Sequence, residues 1–197
     1  MVPPTLSPRR PLEAVVIGGS AGAVSALGEI LPGLPADFPP VLIVVHIPAS
    51  SRTPMSTVFA ERCAMRVCEA EACEPLERGT VYFAPRDYHL LVESDRHCAL
   101  SIEPPLQFSR PAIDVLFESA APVFASALVG LVLSGANSDG ARGLSVIHAA
   151  GGTAIVQAPE GAEVDVMPLA AIAAVPRARV VAIHTILEVL KGLAVKS

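Results

Sequence analysis

In this sequence a serine set among glycines, a histidine and an aspartate each stand at or just beyond the end of an apolar run, and nucleophilic acyl transfer uses those three side-chain types. The first is Ser20, in Gly18-Gly19-Ser20-Ala21-Gly22, which fits the pattern G-x-S-x-G. Small neighbours let the backbone turn sharply from strand to helix. The hydroxyl then projects at the amino end of the helix, where free N–H groups and the helix dipole favour an oxyanion. The second is His46, directly after the apolar run Val41–Val45 and two residues before Pro48, which stops the strand. A base placed there can take the serine proton. The third is Asp139, in Leu133-Ser134-Gly135-Ala136-Asn137-Ser138-Asp139-Gly140. Its carboxylate would accept a hydrogen bond from the ring nitrogen of His46 that faces away from Ser20, fixing the tautomer and stabilising the imidazolium.

Each residue also has an ordinary reading. A Gly-rich turn after a first strand can bind phosphate or simply reverse the chain, although the dinucleotide pattern G-x-G-x-x-G fails here because Ser20 holds its third position. A lone histidine beside a strand is commonly a satisfied core residue, and Asp139 can cap the helix that follows it. What favours the chemical reading is convergence: nucleophile, base and acid all fall at the carboxyl ends of strands, where open α/β sheets place their sites. Asp114 and Asp165 are alternative acids, the former at a helix start where the dipole favours it, the latter in an acidic loop. Asp87-Tyr88-His89 lacks a third metal ligand and reads as a turn before the strand at Leu90. His97, His148 and His184 have no polar company in sequence and read as structural or exposed.

The elements that must position these residues follow from the hydrophobic period. Ala14–Ile17, Val41–Val45, Leu128–Leu133, Thr153–Val156 and 180–183 are short uninterrupted apolar bursts, the mark of strands covered on both faces. Stretches with helical spacing lie between them, at 23–31, 53–63, 112–127, 140–149 and 185–194. This alternation predicts an α/β fold: a doubly wound, mainly parallel sheet with helices on both faces. Val81–Phe83, Leu90–Val92 and 99–102 break the rhythm and predict a small antiparallel hairpin or meander at the sheet edge.

A chain of 197 residues, 52% apolar, is enough for one domain with a real core. The expected organisation is an extended lead-in over residues 1–12, which hold four prolines, and a single domain over 13–197. A net charge of −5 without a Lys/Arg cluster argues against a nucleic-acid partner. Cys63, Cys68, Cys73 and Cys98 have neither CxxC spacing nor a nearby His pair, so no metal is expected and the thiols fit a reducing cytoplasm. Arg9-Arg10 before an apolar stretch mimics an export signal, but Glu13 and the glycines of the turn interrupt it. The uncharged run between Glu118 and Asp139 is long enough to span a bilayer, yet Pro122, Gly130 and Gly135 divide it into a helix and a central strand. No membrane insertion is expected.

Taken together the segments resemble one family, the chemotaxis receptor methylesterases known as CheB. The resemblance rests on Ile17 to Gly22, Val45 to Pro48, Tyr82-Phe-Ala-Pro85 with Asp87 and His89, Ser109-Arg-Pro-Ala-Ile-Asp-Val-Leu-Phe117, Leu133 to Ala141, and Val166-Met-Pro168, in that order along nearly the whole chain. It implies a cytoplasmic serine hydrolase with no cofactor, acting on glutamyl methyl esters in the cytoplasmic helices of methyl-accepting receptors and releasing methanol, with glutamine deamidation as a related activity. The family's serine, histidine and aspartate fall on Ser20, His46 and Asp139. Backbone N–H groups around Ala21, Gly22 and Ala136 are then expected to hold the oxyanion, and Arg110 to orient an acidic substrate side chain, its plainer alternative being a surface salt bridge.

The sequence departs from the family pattern near these positions. Ala21 replaces a hydroxyl residue, Ala23 a glycine, Ala136 a methionine, Asn137 a glycine and Leu169 a basic residue. Family members commonly carry an amino-terminal receiver domain, whereas about a dozen residues precede the first strand here. The expectation is a stand-alone, monomeric esterase domain, with a separate response regulator as its candidate controlling partner.

Overall fold

Both faces of the apolar bursts are covered, and that is why they become strands. A computed structural model describes residues 10–47 and 53–195; residues 1–9 of the expected lead-in, and Pro48 after the histidine, lie outside the described residues. Among the described residues, β1 (Ala14–Gly19), β2 (Val41–Val45), β3 (Arg66–Glu69), β4 (Thr80–Phe83), β7 (Leu128–Val132), β8 (Thr153–Gln157) and β9 (Arg179–Val181) form one sheet in the order β3-β4-β2-β1-β7-β8-β9. Every adjacent pair in it is parallel. β5 (His89–Val92) and β6 (Cys98–Ser101) form a separate antiparallel pair with Leu90 opposite Leu100.

Alternate residues of the central strands feed two cores. Val15, Ile17, Val41 and Ile43 pack with α1 (Ala23–Ile30), Phe59 of α2 (Met55–Phe59) and Ile186 and Leu190 of α6 (Ile183–Val195). Val16, Leu42, Val44 and Val132 pack with α3 (Ile113–Phe124), α4 (Ala141–Ala149) and Met167 and Ala171 of α5 (Val166–Ala174). Each fully buried side chain of this kind contributes about 1.5–3 kcal/mol. The architecture is thus the expected doubly wound α/β sheet.

The middle of the chain differs from the expectation. The segment Val81–Phe83 is not part of an antiparallel edge but lies in β4, inside the parallel sheet between β2 and β3. β3 went unassigned because Arg66 is exposed and the three residues after it only half-buried, so this edge strand has no apolar burst. The β5–β6 hairpin is also not on the sheet edge; Leu90, Val92 and Cys98 are buried in the same core as α3. The helix expected over 53–63 is five residues long, and the one expected over 112–127 ends at Phe124, since Ala125 turns to φ 48°.

The order of the strands determines where a crevice opens. From β1 the chain passes to α1 on one face, and from the adjacent β7 it passes to α4 on the other. Loops leaving neighbouring strands toward opposite faces part above the sheet, and open α/β sheets hold ligands at that switch point. Ser20 and the loop 133–140 flank it.

Candidate active site

Ser20 is the first residue past β1 and is half-buried. Its N–H donates to Ser134 O at 2.9 Å, which extends the β1–β7 pairing into the turn. Ala23 N–H returns to Ser20 O at 3.0 Å, and Gly22 at φ 80° closes the reversal into α1. A side chain on Gly22 would meet Glu163 Cβ as well as a strained backbone, so glycine is required there on two counts. The Ser20 hydroxyl makes no hydrogen bond among the described residues, and the N–H groups of Ala21, Gly22 and Ala136 are likewise unspent.

His46 is placed by the same sheet. Gly19 pairs with Val45 in the β1–β2 register, and His46 N–H donates to Gly19 O at 3.0 Å. Ser20 and His46 are therefore each one residue past the same register pair, on neighbouring strands about 4.8 Å apart. The imidazole is 12% exposed, and its Nε2 lies 2.8 Å from Asp139 Oδ2. This leaves Nδ1 as the ring nitrogen facing away from the carboxylate.

Asp139 is wholly buried and accepts more than the imidazole. Ile113 N–H donates to its Oδ2 at 2.7 Å and Asp114 N–H to its Oδ1 at 2.9 Å. It thus caps a helix, as its plainer reading allows, but the helix is α3 rather than the following α4. The amino end of α4 is served from across the contact by Asp114, whose Oδ1 accepts from Gly140 N–H at 2.9 Å and Gly143 N–H at 2.7 Å. Asp114 stands in the first turn of its own helix α3, as expected, and its carboxylate in addition serves the amino end of the neighbouring α4. Burial pushes the Asp114 carboxyl above the usual carboxylate range, and Asp139 adds to the rise, while the Gly143 N–H and Arg142 pull it back.

Neighbouring polar groups brace this centre. Asn137, one of the departures from the family pattern, accepts the Asp139 N–H on its side-chain oxygen at 3.2 Å. Ser134 N–H donates to Gln157 Oε1 at 2.9 Å, and the Ser134 hydroxyl exchanges hydrogen bonds with the backbone of Val164. His89 accepts the Ala112 N–H on Nδ1, which requires Nε2 to donate toward Pro104 O at 3.3 Å. The first residue of β5 therefore fixes the approach to α3. Asp165 stands at the amino end of α5 and makes no side-chain cap.

Arg110 donates through Nη1 to the carbonyls of Ile102 at 2.8 Å and Glu103 at 3.1 Å, and among the described residues it makes no ion pair. It lines a cleft of about 220 Å³ together with His46, Arg86, Asp87 and the fully exposed Phe108. Sequence reasoning did not find this cleft, because its walls come from three separate stretches of chain, 45–47, 84–87 and 108–111. Ala21 and Ala136 are exposed at the surface beside Ser20 and Gly135, and a Cβ added at Gly135 would come 3.0 Å from the Ser20 Cβ.

Comparison with known proteins gives a consistent picture. Residues 15–190 match the family model described as CheB methylesterase. A relative from Leptospira interrogans is 46% identical over 177 residues, covering 89% of this chain and 92% of that protein. The protein-glutamate methylesterase/protein-glutamine glutaminase of Symbiobacterium thermophilum is 38% identical over 181 residues, covering 91% of this chain and 50% of that protein. The chain thus spans about half the length of the latter. The crystal structure of the Thermotoga maritima CheB methylesterase catalytic domain superposes with a TM-score of 0.87 at 30% identity, covering 93% of this chain and all of that one.

Proposed function

This chain belongs to the CheB methylesterase family, and on that premise we propose that Ser20, His46 and Asp139 are the nucleophile, base and orienting acid of its reaction. It is a hydrolase, a protein-glutamate methylesterase with protein-glutamine glutaminase as the paired activity. The observation that carries the assignment is the 2.8 Å bond from His46 to a buried Asp139, with Ser20 beside His46 at the ends of adjacent strands.

The chemistry runs as acyl transfer. Ser20 Oγ attacks the ester carbonyl carbon while His46 Nδ1 takes the hydroxyl proton, giving a tetrahedral oxyanion. The C–OCH3 bond then breaks, His46 returns the proton to the departing oxygen, and methanol leaves. Water attacks the acyl-serine in the same way and releases a glutamate carboxylate and Ser20. Asp139 holds the ring through Nε2, the reverse of the chymotrypsin arrangement, in which the acid takes Nδ1. The N–H groups of Ala21 and Gly22, with that of Ala136 across the crevice, are the proposed oxyanion donors. Arg110 and Arg86, in the cleft beside His46, suit acidic side chains flanking the ester.

The proposed substrates are the cytoplasmic helices of methyl-accepting chemotaxis receptors, met in the cytoplasm by a monomer under the control of a separate response regulator. No helix among the described residues is long and apolar enough to cross a membrane. A fluorophosphonate probe tests the nucleophile and methanol release from radiomethylated receptor tests the reaction. Wild type is expected to label and release methanol. Ser20→Ala and His46→Ala are expected to do neither, with release down about 10³-fold or more. Undiminished methanol release by Ser20→Ala would overturn the assignment.

A further inference from the structure

We infer that Asp114 is a positioning residue of the reaction, holding the Asp139 carboxylate at the angle His46 requires. The inference rests on the triad assignment above and concerns a residue that touches neither substrate nor imidazole.

Two helices exchange carboxylates. Asp139, just before α4, accepts from the first-turn N–H groups of α3, and Asp114, in the first turn of α3, accepts from Gly140 and Gly143 at the start of α4. Gly140 is covalently next to Asp139, so the Asp114 side chain clamps the peptide from which the Asp139 side chain springs. The Asp114 N–H meanwhile holds Asp139 Oδ1. The two residues form a closed ring of hydrogen bonds, and in such a ring no member rotates without breaking another.

The setting makes this ring rigid. Asp114 is 1% exposed and Asp139 is fully buried. Gly143 brings α4 so close that a Cβ there would lie 3.2 Å from the Asp114 backbone. With the Asp114 carboxylate removed, the N–H groups of Gly140 and Gly143 lose their acceptor in a dry site, and the cheapest relief is rotation of the 139–140 peptide. That rotation swings the Asp139 carboxylate away from His46 Nε2. Displacements near 1 Å at a catalytic group cost about 100-fold in rate.

The test compares three variants in the full chain. Asp114→Ala is expected to lower kcat for methanol release about 10- to 100-fold, with KM within about two-fold of wild type. Asp114→Asn keeps an oxygen in the place of Oδ1 and is expected to restore kcat to within about three-fold of wild type. The downfield proton resonance of His46 Nε2–H, read by NMR without turnover, is expected to shift or broaden in Asp114→Ala while the methyl resonances of the core stay in place. Should Asp114→Ala not fold, Asp114→Glu, which keeps the charge but lengthens the side chain, is expected to show the same loss and the same altered resonance. An unmoved His46 resonance with unchanged kcat, or equal losses in the Ala and Asn variants, overturns the inference. Absence of methanol release by wild type would instead sink the triad assignment, and the NMR comparison would still decide the role of Asp114.

Discussion

The Asp139 carboxylate accepts from Ile113 N–H, Asp114 N–H and His46 Nε2–H, so it serves a helix and an imidazole at once. Asp139→Asn separates these two duties. The amide offers one oxygen and one NH2, and the NH2 cannot accept from Ile113 and His46. Methanol release is expected to fall about 10²- to 10⁴-fold, and urea unfolding to show a loss of about 1–3 kcal/mol from the stranded Ile113 N–H. Activity loss without destabilisation would mean that the Ile113 bond adds nothing to folding. At this scale the placement of Ser20 and His46 at neighbouring strand ends was legible in the sequence, because each follows directly on an apolar burst whose end marks the sheet edge. The partners of Asp139 were not: Ile113 and Asp114 are 26 and 25 residues away, and only the crossing of two helices brings them near.

Between elements, the α3–α4 contact controls the site. Gly143 is its closest point, since a Cβ there would come 2.5 Å from Phe117 Cβ. Gly143→Ala must push the helices apart, at a cost of about 1–3 kcal/mol for overpacking. Lengthening the Asp114–Gly143 bond should also lower kcat more than the loss of folded protein explains. Urea unfolding and methanol release measured on the same preparation check both. The helices and central strands were readable because their periods are strong, whereas β3 and β4 were misread for want of them. Edge strand β3 buries little, and β4 is a four-residue burst among turns, which looks the same in a hairpin as in a parallel sheet. Pairing over that range is chosen by the crossover connections, which leave no local trace.

At the scale of the whole molecule, stability carries the signature of burying two acids together. Asp114 faces Asp139, Arg142, Glu118 and the Gly143 N–H, and its carboxyl is held above its unfolded value chiefly by burial. A raised folded value means that the stabilising contribution is complete below the unfolded value, near pH 4, and is lost as pH rises through the folded one. Asp114→Asn lacks that loss. The difference in unfolding free energy between Asn variant and wild type is therefore expected to grow in favour of the variant as pH climbs from about 4, then to level off. Urea unfolding across pH checks it, and a flat difference would show that burial does not raise the Asp114 carboxyl. The doubly wound layout was visible in advance because β1, β2 and β7 are apolar at nearly every position. That layout puts the proposed base, His46, after the strand on one side of β1 and the proposed acid, Asp139, after the strand on the other, so the proposed triad comes from three separated stretches of chain. The double service of Asp139 also bears on how related sequences are read. A lineage that abandoned ester hydrolysis would still be under pressure to keep this aspartate, because α3 needs it. Surveys that count the acid as a sign of a working enzyme would therefore include retired ones, and the discriminating positions are those of Ser20 and His46, which no helix requires.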